Sequence, residues 1–381
     1  MKVQRSLRAT IAFYTVLLAV IVFFDDANPE TEQAKPGTYV DIHMHFSNQL
    51  AGVGPDSGGR KPPGGKPPGK FEDEDFIACA DNMIAHMDRC GLQKAVVMPQ
   101  PRLAGQPGCY GYKQILAAVR KYPGRLYLGG GGGALNSMIH STAPADVTDA
   151  VRARFKEEAL AIVKEGAKAF GEFAALHLSL NPQHVFEEVI PDHPLFLLLA
   201  DIAAEHDIPI DIHMEAVVKD TPPPDNLRRI STKNPTTLKA NIAGLERLLQ
   251  HNRKAKIVWQ HMGWDNIGQM TIGLLREMLE KHPNLYLGFK IEERSCQVGT
   301  KLPMPNRIVD GEMQIRPEWI KFFTDFADRV LVGSDEFIGI EGRTVRPPQS
   351  FEETWTAVMQ LPADVMSKVA RDNAIKLYRL D

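Results

Sequence analysis

From Gly37 to the C-terminus, short apolar runs alternate with longer stretches whose apolar positions recur every three or four residues. The first pattern predicts strands and the second predicts amphipathic helices. Strands are expected over 39–44, 94–98, 125–129, 166–173, 208–213, 255–261, 284–290 and 329–334. Helices are expected near 72–90, 111–121, 147–165, 194–206, 236–251, 265–281 and 316–327, then over 351–358 and 363–378. Eight strands, each followed by a helix, predict a TIM-type (β/α)8 barrel of parallel strands. The alternative is a doubly wound open sheet, which seldom needs so many regular units.

The N-terminus breaks this rhythm. Lys2, Arg5 and Arg8 precede an apolar run from Ile11 to Phe24, which Asp25 and Asp26 end. Basic, apolar and acidic blocks in that order predict a signal peptide over 1–24, and with it export to the periplasm or the exterior. An uncleaved membrane anchor over 11–24 is the alternative, and a buried N-terminal helix the third reading. Residues 25–37 read as a polar linker. The barrel is expected over 38–381, with a flexible loop at 47–70.

Composition narrows the function class. The chain has 381 residues, 44% hydrophobic and 24% charged, with a formal net charge of -3. Such a balance argues against a dedicated nucleic-acid binder, which shows a strongly basic face. The four cysteines (Cys79, Cys90, Cys109 and Cys296) have no C-x-x-C spacing, so a cysteine zinc site or redox pair is not expected. Cys79 and Cys90 fall on one helix, roughly 16 Å apart at the helical rise, too far to pair. All four read as structural thiols, with any disulfide left open.

Two glycine-rich segments invite a nucleotide reading and fail it. Gly64 to Lys70 has phosphate-loop spacing, but Phe71 replaces the needed Ser or Thr, and Pro67 and Pro68 remove backbone donors. Gly129 to Gly133 lacks the context that opens a helix on a phosphate. Close approach of this backbone to a substrate at the barrel mouth is the expectation there.

Polar residues gather at the predicted strand ends. His43 and His45 alternate with Ile42 and Met44, so their imidazoles share one face of the first strand. His213 ends the fifth strand, His261 the sixth, and Asp335 the eighth. In a parallel barrel these ends meet at one face, where the active site lies. A lone strand-end histidine is more often a satisfied polar residue. Three such strands and a carboxylate at one mouth reverse that expectation and point to a metal site.

The ordered set His43, His45, His213, His261 and Asp335 resembles the metal-dependent amidohydrolase superfamily. The Gly333-Ser334-Asp335 ending, the His261-Met262-Gly263 turn and the closing Asp372-Asn373-Ala374 helix are most similar to its amidohydrolase-related branch, which holds hydrolases and aminocarboxymuconate-semialdehyde-type decarboxylases. The resemblance covers residues 38–381. It implies that His43, His45, His213 and Asp335 bind a divalent ion, zinc before others, and that His261 orients water and shuttles protons or binds a second ion. Asp335 would also accept the proton of the attacking water. The fourth strand bears on one ion or two. Glu172 is similar to the bridging glutamate of TatD-type nucleases, against a plainer role as a neighbour or substrate contact. Lys168, about 13 Å deeper along the strand, is the poorer bridge.

Arg294 is a candidate for a substrate carboxylate, and His177, Trp264, Glu215 and Asp265 for the substrate cavity. Lys290 and Glu292 close the seventh strand and read equally as rim charges. His86, His140, His184, His193, His206, His251 and His282 fall on helices or loops and are expected at the surface. The expected activity is metal-dependent hydrolysis of a C–O or C–N bond in a lactone, ester or amide. Non-oxidative decarboxylation of an unsaturated or aromatic acid is the alternative, and a catalytically silent binding barrel the rival of another class. The expected partner is a small-molecule substrate. No nucleic acid is expected, membrane contact only through an uncleaved N-terminus, and a homo-oligomer is left open.

Overall fold

The computed structural model describes residues 39–50, 71–106, 108–180, 184–291, 304–344 and 352–381. The expected signal or anchor over 1–24, the linker, the loop from 51 to 70 and Arg294 lie outside the described residues, as does Cys296.

Among the described residues ten strands form one sheet: β1 (Tyr39–Phe46), β2 (Leu92–Val97), β3 (Leu126–Gly131), β4 (Ala169–His177), β5 (Glu187–Glu188), β6 (Ile210–Met214), β7 (Ile257–Met262), β8 (Leu285–Phe289), β9 (Val330–Val332) and β10 (Glu336–Ile338). Their order is β10-β1-β2-β3-β4-β6-β7-β8-β9, all parallel, with β5 antiparallel to the end of β4. The two ends of this order are one piece of chain. Residues 330–332 pair with β8, and residues 336–338 pair with β1. Between them the Asp335 N–H donates to the His43 carbonyl at 2.9 Å. The last strand thus changes partner at Gly333–Asp335 and joins both edges, giving the expected barrel.

Helices follow the strands because their apolar residues recur on one stripe. In Asp75–Cys90 that stripe is Phe76, Cys79, Ala80, Met83 and Met87, all buried. The helix stops at Gly91, whose φ of 74° suits a residue without Cβ. The main cluster of buried apolar residues lies between strands and helices. A second cluster fills the barrel interior with Val40, Ile42, Val96, Tyr127, Ala169, Val258 and Leu331. Leu377 and Tyr378 of the C-terminal helix, with Leu380 just beyond it, complete the cluster. Asn373 ties that helix to β9, donating to the Ala327 and Val330 carbonyls at 2.6 and 2.8 Å.

Several expectations need correction. The simple alternation of β1 breaks at a register shift between Asp41 and Met44. Val40 and Ile42 therefore belong to the interior cluster, while Met44 belongs to the outer one. His86, His193 and His282 are buried rather than on the surface. His193 caps its helix, accepting from the Leu195 N–H at 3.1 Å. The run Gly129–Gly133 makes its close approach to the protein's own atoms, side chains at Gly129–Gly131 and backbone at Gly132 and Gly133. A Cβ on Gly132 would collide with the Pro99 carbonyl, and one on Gly133 with the Tyr110 carbonyl. Among the described residues Cys79 and Cys109 form no disulfide. Among the described residues no helix is long and apolar enough to cross a membrane.

Candidate metal centre

Four of the candidate residues, His43, His45, Glu172 and Asp335, meet over a few ångströms. His43 Nε2 lies 3.1 Å from His45 Nε2, 3.5 Å from Glu172 Oε2 and 3.7 Å from Asp335 Oδ1. His45 Nε2 is 3.3 Å from each of the same two carboxylate oxygens. Donors about 2.0–2.1 Å from a tetrahedral ion stand about 3.3 Å from one another. The spacing of these four atoms fits one such ion.

Tautomers make the fit stronger. His45 Nδ1 meets the Met98 carbonyl at 2.8 Å, an acceptor only, so Nδ1 carries the hydrogen. His43 Nδ1 faces the Asp211 carboxylate at 3.1 Å in the same sense. Either ring, when it carries no second proton, then turns a lone pair toward the other and toward two carboxylates. A buried group of four acceptors calls for a cation. Electrostatics express the same demand. Burial opposes charge on His43, but Asp211 and Glu172 outweigh it and hold its pKa well above the usual value.

Glu172 is shared with a second donor group. Its Oε1 lies 2.9 Å from His213 Nδ1 and 3.4 Å from His261 Nε2, while Oε2 faces His43 and His45. The structure thus places His213 with Glu172 and His261, not with His43, His45 and Asp335. Burial pushes the Glu172 carboxyl up, yet His43, His213 and His261 overcome this and hold it well below the carboxylate range. Burial and the neighbouring His213 take His261 down to about 3, so its imidazole is neutral. Lys168 is remote from this group; its Nζ donates to the Arg379 carbonyl at 2.8 Å.

The backbone is bent to serve the site at two residues. His261 (φ 70°) and Asp335 (φ 57°) adopt the left-handed region, which side chains with a Cβ avoid. The aspartate is further held from its other oxygen, where Lys290 Nζ meets Oδ2 at 2.7 Å. Burial raises the Asp335 pKa, but Lys290 and His45 dominate and keep it well below the usual range. Lys290 also stands 4.5 Å above the Trp264 ring, so this pair lines the rim at the end of β8.

Three positioning residues were not anticipated. Asp211 receives His43 Nδ1, and Gln260 donates to Asp211. Gly288 is glycine because a Cβ there would occupy the Gln260 carboxamide. Asp41 accepts from the His43 and Ser334 N–H groups at 2.9 and 3.2 Å, bracketing both sides of the site. The signal for Asp211 was present, since it stands two residues before His213 on one strand. Of the expected cavity residues, His177 packs its ring 4.8 Å from that of His213. Glu215 and Asp265 instead organise a loop. Glu215 accepts from Asn266, and Asp265 from the N–H groups of Ile267, Gly268 and Met270.

The family model described as Amidohydrolase matches residues 40–380. No curated protein matches the chain. Among solved structures, a putative 2-pyrone-4,6-dicarboxylic acid hydrolase from Pseudomonas putida is 14% identical, covering 91% of this chain and 98% of that one, with a TM-score of 0.44. A 4-oxalomesaconate hydratase from Rhodopseudomonas palustris is 16% identical over 90% and 95% of the two chains, with a TM-score of 0.48. An amidohydrolase from Mycobacterium avium subsp. paratuberculosis is 14% identical over 90% and 99%, with a TM-score of 0.41. With its family model spanning nearly the whole barrel and its histidines and carboxylates gathered at the barrel mouth, the chain belongs to the amidohydrolase family.

Proposed function

We propose that this enzyme hydrolyses a C–O or C–N bond of a small molecule, a lactone, ester or amide, at a divalent ion held by His43, His45, Glu172 and Asp335. The observation that carries this reading is the convergence of two imidazole lone pairs and two carboxylates at 3.1–3.7 Å. Zinc suits a nitrogen-and-oxygen donor set of this spacing. His213 and His261 offer a second place that shares Glu172. An ion bound here polarises the substrate carbonyl and lowers the pKa of water to near neutrality.

The chain's own groups do the rest. Asp211 and the Met98 carbonyl keep hydrogens on the outer nitrogens of His43 and His45, so both Nε2 atoms stay free to bind. Lys290 holds Asp335 ionised and aimed at the imidazoles. His261, neutral and packed beside Glu172 and His213, is placed to orient water at the centre. Trp264 packs its ring against the Lys290 ammonium that holds Asp335. The basic and apolar blocks of residues 2–24 support work outside the cytoplasm.

The deciding experiment is a screen of lactones, esters and amides beside carboxylated dienes and phenols, with detection of acid release and of CO2. Acid release that stops in Asp335→Asn supports hydrolysis. CO2 release without hydrolysis of any ester, lactone or amide replaces it with decarboxylation.

A further inference from the structure

Next to the donor groups, toward β2 and β5, stand polar side chains that the hydrolytic chemistry leaves unused. The segment leaving β2 is tied to the centre twice. The Met98 carbonyl meets His45 Nδ1 at 2.8 Å, and the Pro99 carbonyl accepts from the Glu172 N–H at 3.4 Å. Three residues further on, this segment carries Arg102. Its backbone is well anchored. The Arg102 carbonyl accepts from the Ser137 hydroxyl at 3.2 Å and the Cys109 thiol at 3.7 Å, and its N–H donates to the Gln100 carbonyl at 2.8 Å.

The Arg102 side chain is only partly satisfied. The residue is 9% exposed, and its Nε donates to Gln100 Oε1 at 3.3 Å. Among the described residues no carboxylate pairs with it and neither Nη has an acceptor. A guanidinium stays charged at every accessible pH, and burying it without an anionic partner is costly.

Glu187 stands beside it in the opposite condition. It lies directly across from His177 in the antiparallel β4–β5 pair, so the two side chains share a face. Both Glu187 oxygens and His177 Nδ1 are buried and have no hydrogen-bond partner among the described residues. Burial pushes the Glu187 carboxyl up to about 8 against the pull of Arg102, so at neutral pH it carries a proton to donate. Both Glu187 and His177 lie within reach of the Arg102 charge. A charged fork and a protonated carboxyl are both donors, and what they lack is an acceptor with negative charge.

We propose that Arg102, with Glu187 and His177 beside it, binds a carboxylate substituent of the substrate, so that the molecule hydrolysed is an organic acid. This rests on the hydrolytic reading above and names its substrate class. The guanidinium presents two parallel N–H donors to one carboxylate, and the Glu187 O–H adds a third. An acid held there is oriented by that group, with its reacting carbonyl left to the donor groups around Glu172.

The test uses metal-replete protein and two pairs of probes. The first pair is a five-membered lactone bearing a ring carboxylate and the carboxamide of the same lactone. The second is benzoate and benzamide, as ligands that do not react. In the wild type, kcat/KM for the acid lactone is expected to exceed that for the carboxamide by about 30-fold or more. Arg102→Gln brings this ratio close to one, and Arg102→Lys retains part of it. Misfolding lowers both members of a pair and leaves their ratio unchanged, so the ratio reports the subsite itself. Calorimetry is expected to show benzoate bound more tightly than benzamide, with about a tenfold or larger loss for benzoate in Arg102→Gln. Turnover of both lactones with the same ratio in wild type and Arg102→Gln overturns the subsite and leaves hydrolysis standing. Benzoate binding that Arg102→Gln removes, in a wild type that turns over neither lactone, supports the subsite and leaves hydrolysis to be decided by the screen of esters and amides.

Discussion

Lys290 reaches Asp335 at Oδ2, 2.7 Å away, while Oδ1 of the same carboxylate lies 3.3 Å from His45 Nε2. One aspartate is thus neutralised from outside by an ammonium and faces the donor group from inside. A bound ion and Lys290 do overlapping electrostatic work on it. Lys290→Met is therefore expected to make the protein more dependent on metal. The rise in Tm on adding zinc to chelator-treated protein should be larger in the variant than in the wild type, by roughly 2–4 °C for each kcal/mol of lost neutralisation. Equal rises in the two proteins would show that Lys290 does not share the task.

Glu172 joins two donor groups through its two oxygens, and this makes a prediction about metal content. The wild type should take up to two equivalents, and His213→Ala should lower this to one. Glu172→Ala should release both, because each group loses an oxygen. Elemental analysis of gel-filtered protein measures this. A wild type that saturates at one equivalent and is unchanged by His213→Ala would leave only the group of His43, His45 and Asp335 in use.

Asp211 touches no donor position itself but receives His43 Nδ1, and Gln260 holds it in turn. Such outer partners orient the imidazole and raise its basicity, and their loss typically costs about 10–100-fold in metal affinity. Asp211→Asn is expected to weaken zinc binding within that range while far-ultraviolet circular dichroism stays the same. Competition with a chelating dye reads the affinity. An unchanged value would mean that strand geometry alone aims His43.

Much of this centre was legible because strand periodicity and barrel topology act together. Polar residues at strand ends break an apolar run and stand out, so His43, His45, His213, His261 and Asp335 were visible. Glu172 was visible too, but expected at a strand end. The strand runs over Ala169–His177, three residues later than its apolar pattern suggested, because Gly166 at φ 85° still belongs to the preceding turn. The acceptor for His45 is a backbone carbonyl, which no side-chain pattern reveals. Gly132 and Gly133 were noticed, but which backbone they approach depends on the path of residues 99–111 and cannot be read locally. The two-residue β5, which brings Glu187 opposite His177, is too short to leave a periodic trace.

Glu187 also gives the fold a dependence on pH with a definite sign. Its carboxyl stands at about 8 in the folded chain against an ordinary value of 4.5, chiefly through burial. The folded state then keeps a proton that the unfolded chain releases between about pH 4.5 and 8. Folding is favoured below that window, and stability falls as pH rises through it, levelling off above about 8. Glu215 at about 8 and Asp41 at about 6, both raised mainly by burial, add slopes of the same sign. Glu187→Gln is neutral at every pH and removes one of these slopes. Wild type and variant should lose stability differently between pH 5 and pH 9, with the variant gaining on the order of a few kcal/mol relative to the wild type over that interval. Urea midpoints at pH 5, 7 and 9 measure it. If the two proteins lose stability in parallel, Glu187 is ionised in the folded chain at neutral pH and cannot serve as a donor beside Arg102.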